Sequence, residues 1–250
     1  MKIQEKHIIR ILLMVILLPL LYFAGRIFIT DRFIVRGASM VPTLWDGEAV
    51  YVRKWLMGPR IYTSFDFDCP ELKSFRIPGV RKVRNGDIVA FNYPYGRDSM
   101  KIQFKINYVY IKRCIGVPGD TVSIENGYYR NSAVPEGFPH ITGQRQIGTL
   151  PDSLSGYARG TFPYDCDIHW TVKQFGPVVV PRKGLSIQLT RESAEVYADV
   201  IEFETGKKPL ASGSYTFKNN YYFFVGDNAM NSRDSRFFGF VPESYIIGII

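Results

Sequence analysis

The sequence predicts a mostly β fold preceded by one N-terminal transmembrane helix, and three observations carry that expectation. The chain is 15% aromatic and 46% hydrophobic, and it is rich in β-branched residues, a composition suited to half-buried pleated surfaces. Beyond residue 30, long stretches with helical periodicity are scarce. The first 30 residues, by contrast, hold an apolar run too long for an ordinary core element. A chain of 250 residues can bury one good core and a second small one.

Residues 11–25 carry no charge and follow Lys2, Lys6 and Arg10. Widening the run to 8–29 gives about 22 residues, enough to cross ~30 Å of hydrocarbon when Arg10 and Arg26 snorkel to the headgroups. Pro19 should bend this helix, which lipid tolerates better than water does. A cleaved signal peptide would need small residues at its cleavage site. Tyr22-Phe23-Ala24 puts a bulky aromatic there, so an uncleaved signal anchor is expected. The basic residues before it favour a cytoplasmic N-terminus, although Arg26, Arg32 and Arg36 on the far side weaken that rule. The body would then lie outside the cytoplasm.

Residues 33–35 read as a short strand leading into a turn at Ser39, and 48–54 as a second strand. Residues 55–82 mix Gly, Pro, aromatic and basic residues, the composition of an extended hairpin or loop rather than a helix. Arg84-Asn85-Gly86-Asp87 is a turn before a buried strand at 88–91. A further strand at 108–115 closes with Val117-Pro118-Gly119-Asp120, where Pro pre-sets φ and Gly takes the positive φ. Residues 121–217 read as an inserted β-rich subdomain in which only 190–201 looks helical. Residues 221–225 form the strand that delivers a final polar loop. The expected organisation is a cytoplasmic N-terminus at 1–7, an anchor at 8–29, a core from 30–120 and 218–250, and the insert between them.

The net charge of +8 is unevenly placed, because residues 1–120 carry 19 Lys+Arg against 10 Asp+Glu, whereas 121–217 carry nine against ten. Nucleic acid is one partner such a bias suggests. No helix-turn-helix, zinc-finger or RNP-like motif accompanies it, so no nucleic-acid partner is expected. Beside a membrane anchor, attraction to anionic headgroups of the lipid bilayer is the better use; a solvated basic face fits the same counts. Cys69, Cys114 and Cys166 show neither CxxC spacing nor nearby histidine pairs, so neither a metal nor another cofactor is expected. One disulfide with a free thiol and three free thiols both remain compatible with three cysteines.

Three segments carry chemistry. The first is Gly37-Ala38-Ser39-Met40-Val41-Pro42-Thr43-Leu44. The second is Tyr110-Ile111-Lys112-Arg113-Cys114-Ile115-Gly116-Val117-Pro118-Gly119-Asp120, and the third Gly226-Asp227-Asn228-Ala229-Met230-Asn231-Ser232-Arg233-Asp234-Ser235-Arg236. A serine hydroxyl is a poor nucleophile until a base removes its proton. His7 precedes the span, and His140 and His169 lie in the insert outside any motif. A lysine can serve where burial lowers its pKa, and Lys112 has Tyr110, Ile111, Cys114, Ile115 and Val117 around it. Taken singly, Ser39 would be a turn or cap serine and Lys112 an exposed strand lysine. Their occurrence together with the third segment reverses that reading.

With these segments in this order, the chain resembles the type I signal peptidases, membrane-anchored Ser/Lys proteases that remove signal peptides from exported preproteins. The resemblance covers the anchor and the catalytic core but not the insert. It implies a signal-peptidase-like β catalytic core in which Ser39 attacks the scissile carbonyl, Lys112 is general base and Ser232 positions the lysine amine. Asp227, Asp234 and Arg236, with Arg113, would form carboxylate–guanidinium pairs behind the site. The segment 84–91 resembles a remaining structural motif of that family.

Cleavage would follow small residues at the first and third positions before the bond. The matching apolar walls would be Phe33, Val35, Met40, Leu44, Tyr110 and Ile111. Many members have a serine two residues before the nucleophile that helps bind the oxyanion; Gly37 stands there, so the oxyanion must rely on the Ser39 N–H and another donor. Relatives usually continue past the point where this sequence ends, which leaves a truncated sequence open. The implied partners are preprotein signal peptides and the bilayer. The implied location is the bacterial inner membrane, single-pass, with the catalytic domain on the periplasmic side. Self-cleaving SOS-type repressors use the same dyad, but they carry a DNA-binding domain and no span such as 8–29. A catalytically dead, membrane-tethered β-domain that binds preproteins would have no need of both dyad residues.

Overall fold

The computed structural model describes residues 2–64, 66, 69, 71–95, 101–151, 160–164 and 167–250. Its first element is the helix α1 (Lys2–Phe28), which runs through Pro19 without a break. Residues Ile9–Phe28 have a mean hydropathy of 2.3, and none of that stretch is buried against the rest of the protein. A long, largely apolar helix that the rest of the protein does not bury is compatible with a membrane span.

The base of α1 is tied to the body. Lys54 donates its backbone N–H to the Ile29 carbonyl at 2.9 Å, and its amine donates to the Arg26 carbonyl at 2.8 Å and to Asp31 at 3.2 Å. Arg26 donates its Nε to Asp31 at 3.0 Å.

The chain then forms β1 (Thr30–Ile34), β2 (Ala49–Arg53), the one-turn α2 (Lys54–Met57), the hairpin β3 (Arg60–Tyr62) and β4 (Ser74–Arg76), β5 (Ile88–Asn92) and β6 (Val109–Gly116). Next come β7 (Thr121–Glu125), β8 (Tyr128–Asn131), α3 (Gln144–Gly148), β9 (Phe175–Val179), β10 (Ser186–Gln188), α4 (Arg191–Val196), α5 (Ala198–Thr205) and β11 (Ser214–Thr216). The C-terminal part supplies β12 (Tyr221–Val225), α6 (Ser235–Phe238), β13 (Val241–Pro242) and β14 (Ile246–Ile249). The protein is mostly β.

Its main sheet has seven strands in the order β1-β2-β14-β5-β6-β12-β13. The last strand thus sits between two early ones, and the two ends of the chain close one sheet. β12, Tyr-Tyr-Phe-Phe-Val, is buried along its whole length. One of its faces stacks Phe224 on Phe91 at a centroid separation of 4.6 Å, within a cluster that includes Cys114, Phe238 and Tyr245. Its other face turns Phe223 and Val225 into a second cluster with Val122, Ile124, Phe175 and Phe217. The strands of 121–217 therefore share a core with β6 and β12.

Three local expectations differ from the structure. Residues 54–57 make a helical turn where none was expected, with Leu56 and Met57 buried beneath it. The helix expected over 190–201 is two short ones broken at Tyr197, whose hydroxyl donates to the Val179 carbonyl at 2.9 Å. A buried tyrosine anchored to β9 overrides the continuous pattern. The third is α3, only five residues long and too short to leave a periodicity. Cys69 and Cys114 are free thiols, and Cys166 lies outside the described residues.

Candidate active site

The turn that carries Ser39 is built from the end of the first hairpin. Val35 donates to the Glu48 carbonyl at 2.8 Å and accepts from Gly47 at 3.0 Å, extending the β1–β2 ladder beyond Ile34. The chain then leaves the sheet at Gly37, whose φ of +82° is one that glycine adopts without steric cost. The Gly37 N–H donates to Asp46 Oδ1 at 2.7 Å, and Leu44 N–H to the Met40 carbonyl at 2.9 Å. Met40 and Leu44 are buried with Val35 and Val50, and Phe33, Ile88, Ile111 and Ile250 pack around them. This small cluster seats the turn and leaves Ser39 half-buried above it.

Lys112 comes from β6, paired with Val89 of β5. On its other side β6 pairs with β12 only as far as Arg113, opposite Val225. Lys112 thus lies just past the point where β12 departs, at the start of an open strand edge. Its amine donates to Ser39 Oγ at 2.5 Å and to the Ile111 carbonyl at 3.2 Å, 5.3 Å from the centre of the Tyr110 ring. The side chain is 4% exposed. Burial lowers its pKa from an ordinary 10.5 to about 8, assisted by the Arg236 cation and opposed by Asp234 and Asp227. A neutral amine in this position can accept the hydroxyl proton.

The loop after β12 holds both segments in place. Arg113 grips Asp227 through its Nε and one terminal nitrogen, each at 2.6 Å. Thr43 donates its hydroxyl to the same carboxylate at 2.5 Å, and the Asp227 carbonyl accepts from Thr142 N–H at 2.7 Å. A second buried pair joins Arg236 to Asp234 at 2.8 and 2.9 Å, with Gly226 N–H also donating to Asp234 at 3.0 Å. Asn228 binds the serine turn directly, its N–H to the Ser39 carbonyl at 3.0 Å and its amide to the Ala38 carbonyl at 3.2 Å. Fully buried charges are tolerated where each is paired and hydrogen-bonded in this way.

The sequence-derived site residues separate into groups. Ser39 and Lys112 meet. Arg113 with Asp227, and Asp234 with Arg236, form pairs directly behind them. Phe33, Val35, Met40, Leu44 and Ile111 share one apolar cluster, whereas Tyr110 packs on the opposite face of the sheet with Tyr93 and Phe238. The Ser232 hydroxyl is buried and has no hydrogen-bond partner among the described residues, so it is not paired with the lysine amine. It faces Gly226 instead: a Cβ at Gly226 would lie 2.2 Å from Ser232 Oγ and 2.4 Å from the Ser39 carbonyl oxygen. Gly226, Thr43 and Asn228 are positioning residues that the sequence left unassigned. All three stand inside the motif segments, but nothing local to them signals a partner far away in the chain.

A serine hydroxyl meets a buried lysine amine here, on an open strand edge of a mostly β body that carries an apolar N-terminal helix, and such a pair is the kind of arrangement that can activate a hydroxyl nucleophile. The family model described as "Signal peptidase, peptidase S26" matches residues 7–250, and the chain belongs to that family. It is similar to "Signal peptidase I" of Buchnera aphidicola subsp. Baizongia pistaciae, at 28% identity over 92% of this chain and 71% of that protein. It is also similar to "Signal peptidase I" of Helicobacter pylori strain 26695, at 27% identity over 88% and 73%. "Signal peptidase I T" of Bacillus subtilis strain 168 is 28% identical over 94% and 78%. The chain is a signal peptidase.

Proposed function

We propose that this chain is a membrane-anchored endopeptidase that removes signal peptides from exported preproteins, with Ser39 as nucleophile and Lys112 as general base. The observation that carries this reading is the 2.5 Å approach of a buried lysine amine to Ser39 Oγ. Neutral Lys112 takes the Ser39 proton as Oγ attacks the scissile carbonyl. The ammonium so formed returns the proton to the leaving amine, and the amine then deprotonates the water that hydrolyses the acyl-enzyme. The Ser39 N–H, used by no described hydrogen bond, is one oxyanion donor. Arg113, Asp227, Asp234 and Arg236 are positioning residues that hold the loop against the serine turn, and Ser232 packs beside them.

Strand parity supports a docking mode. Tyr93 N–H donates to the Tyr108 carbonyl and Cys114 N–H to the Asp87 carbonyl, so the even-numbered residues of β6 direct their backbone groups to β5. Val109 and Ile111 direct theirs to the edge that β12 has left open. An extended preprotein segment adds to that edge as a further strand. Small side chains at the first and third positions before the bond then face the apolar cluster of Phe33, Val35, Met40, Leu44 and Ile111.

The body lies on the outer side of the bilayer, as the basic residues before α1 favour, and its closeness to the surface is supported by Lys54 binding the last turn of α1 with exposed Trp55 following immediately. The basic first half adds attraction to anionic headgroups. Incubating the detergent-solubilised chain with a preprotein and locating the cut by mass spectrometry tests the proposal. Ser39→Ala and Lys112→Met should each abolish the cut, while His140→Ala and His169→Ala retain it. A folded Ser39→Ala variant that still cleaves would sink the dyad assignment.

A further inference from the structure

Side chains along β6 alternate between two faces. Ile111 turns to the apolar cluster already described, whereas Tyr110 and Tyr108 share the face of Lys112. On that second face lies a cavity of about 380 Å³ lined by Tyr93, Tyr95, Tyr108, Tyr110, Lys105 and Arg233. Its aromatic wall is fixed in place. Tyr93 lies tilted against Tyr110 at 4.8 Å between centroids and meets Phe238 edge-on at 5.3 Å. The cavity also adjoins the dyad, because Tyr110 is the ring beside Lys112 Nζ.

The charged residues described in this cavity are of one sign. Lys105 and Arg233 are both exposed, the Arg233 guanidinium interacts with the Tyr93 hydroxyl, and among the described residues no carboxylate lines the space. Asp199 touches the lining from behind, accepting the Tyr95 hydroxyl at 2.8 Å. Two cations and tyrosine hydroxyls around a space of this size match a carboxylate side chain and disfavour a cationic one.

We propose that this cavity is a selectivity subsite of the same enzyme, taking an acidic side chain from the second residue before the cleaved bond. The inference rests on the docking mode given under Proposed function. A segment added to the open edge of β6 with its first and third side chains toward Ile111 must turn the second toward Tyr110. The second position is thus read by charge, independently of the small-residue requirement at its neighbours.

The test uses three preproteins identical except for Glu, Gln or Lys at the second position before the bond, cleaved by the full detergent-solubilised chain. The expected order of kcat/KM is Glu, then Gln, then Lys, with Glu over Lys by about tenfold and less at high salt. Arg233→Glu and, separately, Lys105→Glu should shift that ratio toward Lys. Equal rates for the three substrates, or a ratio unmoved in both charge-reversed variants, would overturn the subsite. In that case, cleavage that remains dependent on Ser39 would leave the peptidase reading standing. No cleavage of any of the three by the unaltered chain would overturn that reading and the subsite with it.

Discussion

Arg113 and Asp227 face each other through two parallel N–H···O contacts of 2.6 Å each, and this buried pair joins all three motif segments. Arg113 belongs to the strand that carries Lys112, Asp227 to the C-terminal loop, and Thr43 of the serine turn donates to the same carboxylate. Removing the carboxylate alone leaves a buried guanidinium unpaired. Asp227→Ala should therefore lower stability by about 3–5 kcal/mol. The double variant Arg113→Met/Asp227→Leu should unfold at a higher denaturant concentration than Asp227→Ala. Denaturant unfolding of the three detergent-solubilised proteins gives the comparison, and an Asp227→Ala variant as stable as the parent would show that the pair holds nothing together.

Gly226 lies against the nucleophile's own backbone with no room for a side chain. An added methyl would stand 2.2 Å from Ser232 Oγ and 2.4 Å from the Ser39 carbonyl oxygen, distances no packed carbon tolerates. Gly226→Ala should push the loop away from Ser39 and lower kcat by at least about a hundredfold, as expected for a displacement near 1 Å at a reacting group. Ser232→Ala, which removes a hydroxyl without a described partner, should cost far less. Comparable kcat values for the two variants would contradict this ordering.

Gly37 adopts a φ of +82° with open space where a side chain would project. Gly37→Ser should thus cost roughly 1–2 kcal/mol of backbone strain while cleavage persists. Gly37→Val should be severely defective, because a β-branched side chain fits that conformation poorly and projects beside the nucleophile. Steady-state kinetics on both variants decide it; wild-type rates for the valine variant would mean that this position does not border the site.

Lys112 should be a stability liability as well as a base. Its pKa falls from 10.5 to about 8 on folding, so between these values the unfolded chain binds more protons than the folded one. Stability rises with pH across that window, and below it the folded state bears up to about 3 kcal/mol. Lys112→Met should therefore raise the melting temperature at pH 7, with the advantage shrinking toward pH 10. A variant less stable than the parent at pH 7 would show that the amine is not held at such a cost.

The parts of the site legible in the sequence were those whose signal is local. Ser39 and Lys112 stood out as reactive residue types inside short motifs, and β5, β6 and β12 as apolar runs between turn residues. What escaped depends on distant neighbours. The need for glycine at 226 arises from Ser39, far away along the chain. Tyr110 and Ile111 share one expected pocket wall, yet the pleat turns adjacent residues to opposite faces. The break at Tyr197 depends on a carbonyl of β9 that no helical periodicity reveals. The pairing of Arg26 with Asp31 depends likewise on the first strand, which Lys54 ties to the helix end.

The central claim is that a neutral Lys112 removes the Ser39 proton, and the pH dependence of kcat/KM on one short peptide substrate tests it most directly. Below its pKa the amine is protonated and cannot act as a base, so the rate should fall on the acid side and rise as pH passes through about 8, levelling off above. A rate that instead rises through the range of ordinary carboxylates, near pH 4–5, and stays flat across pH 8 would contradict the account.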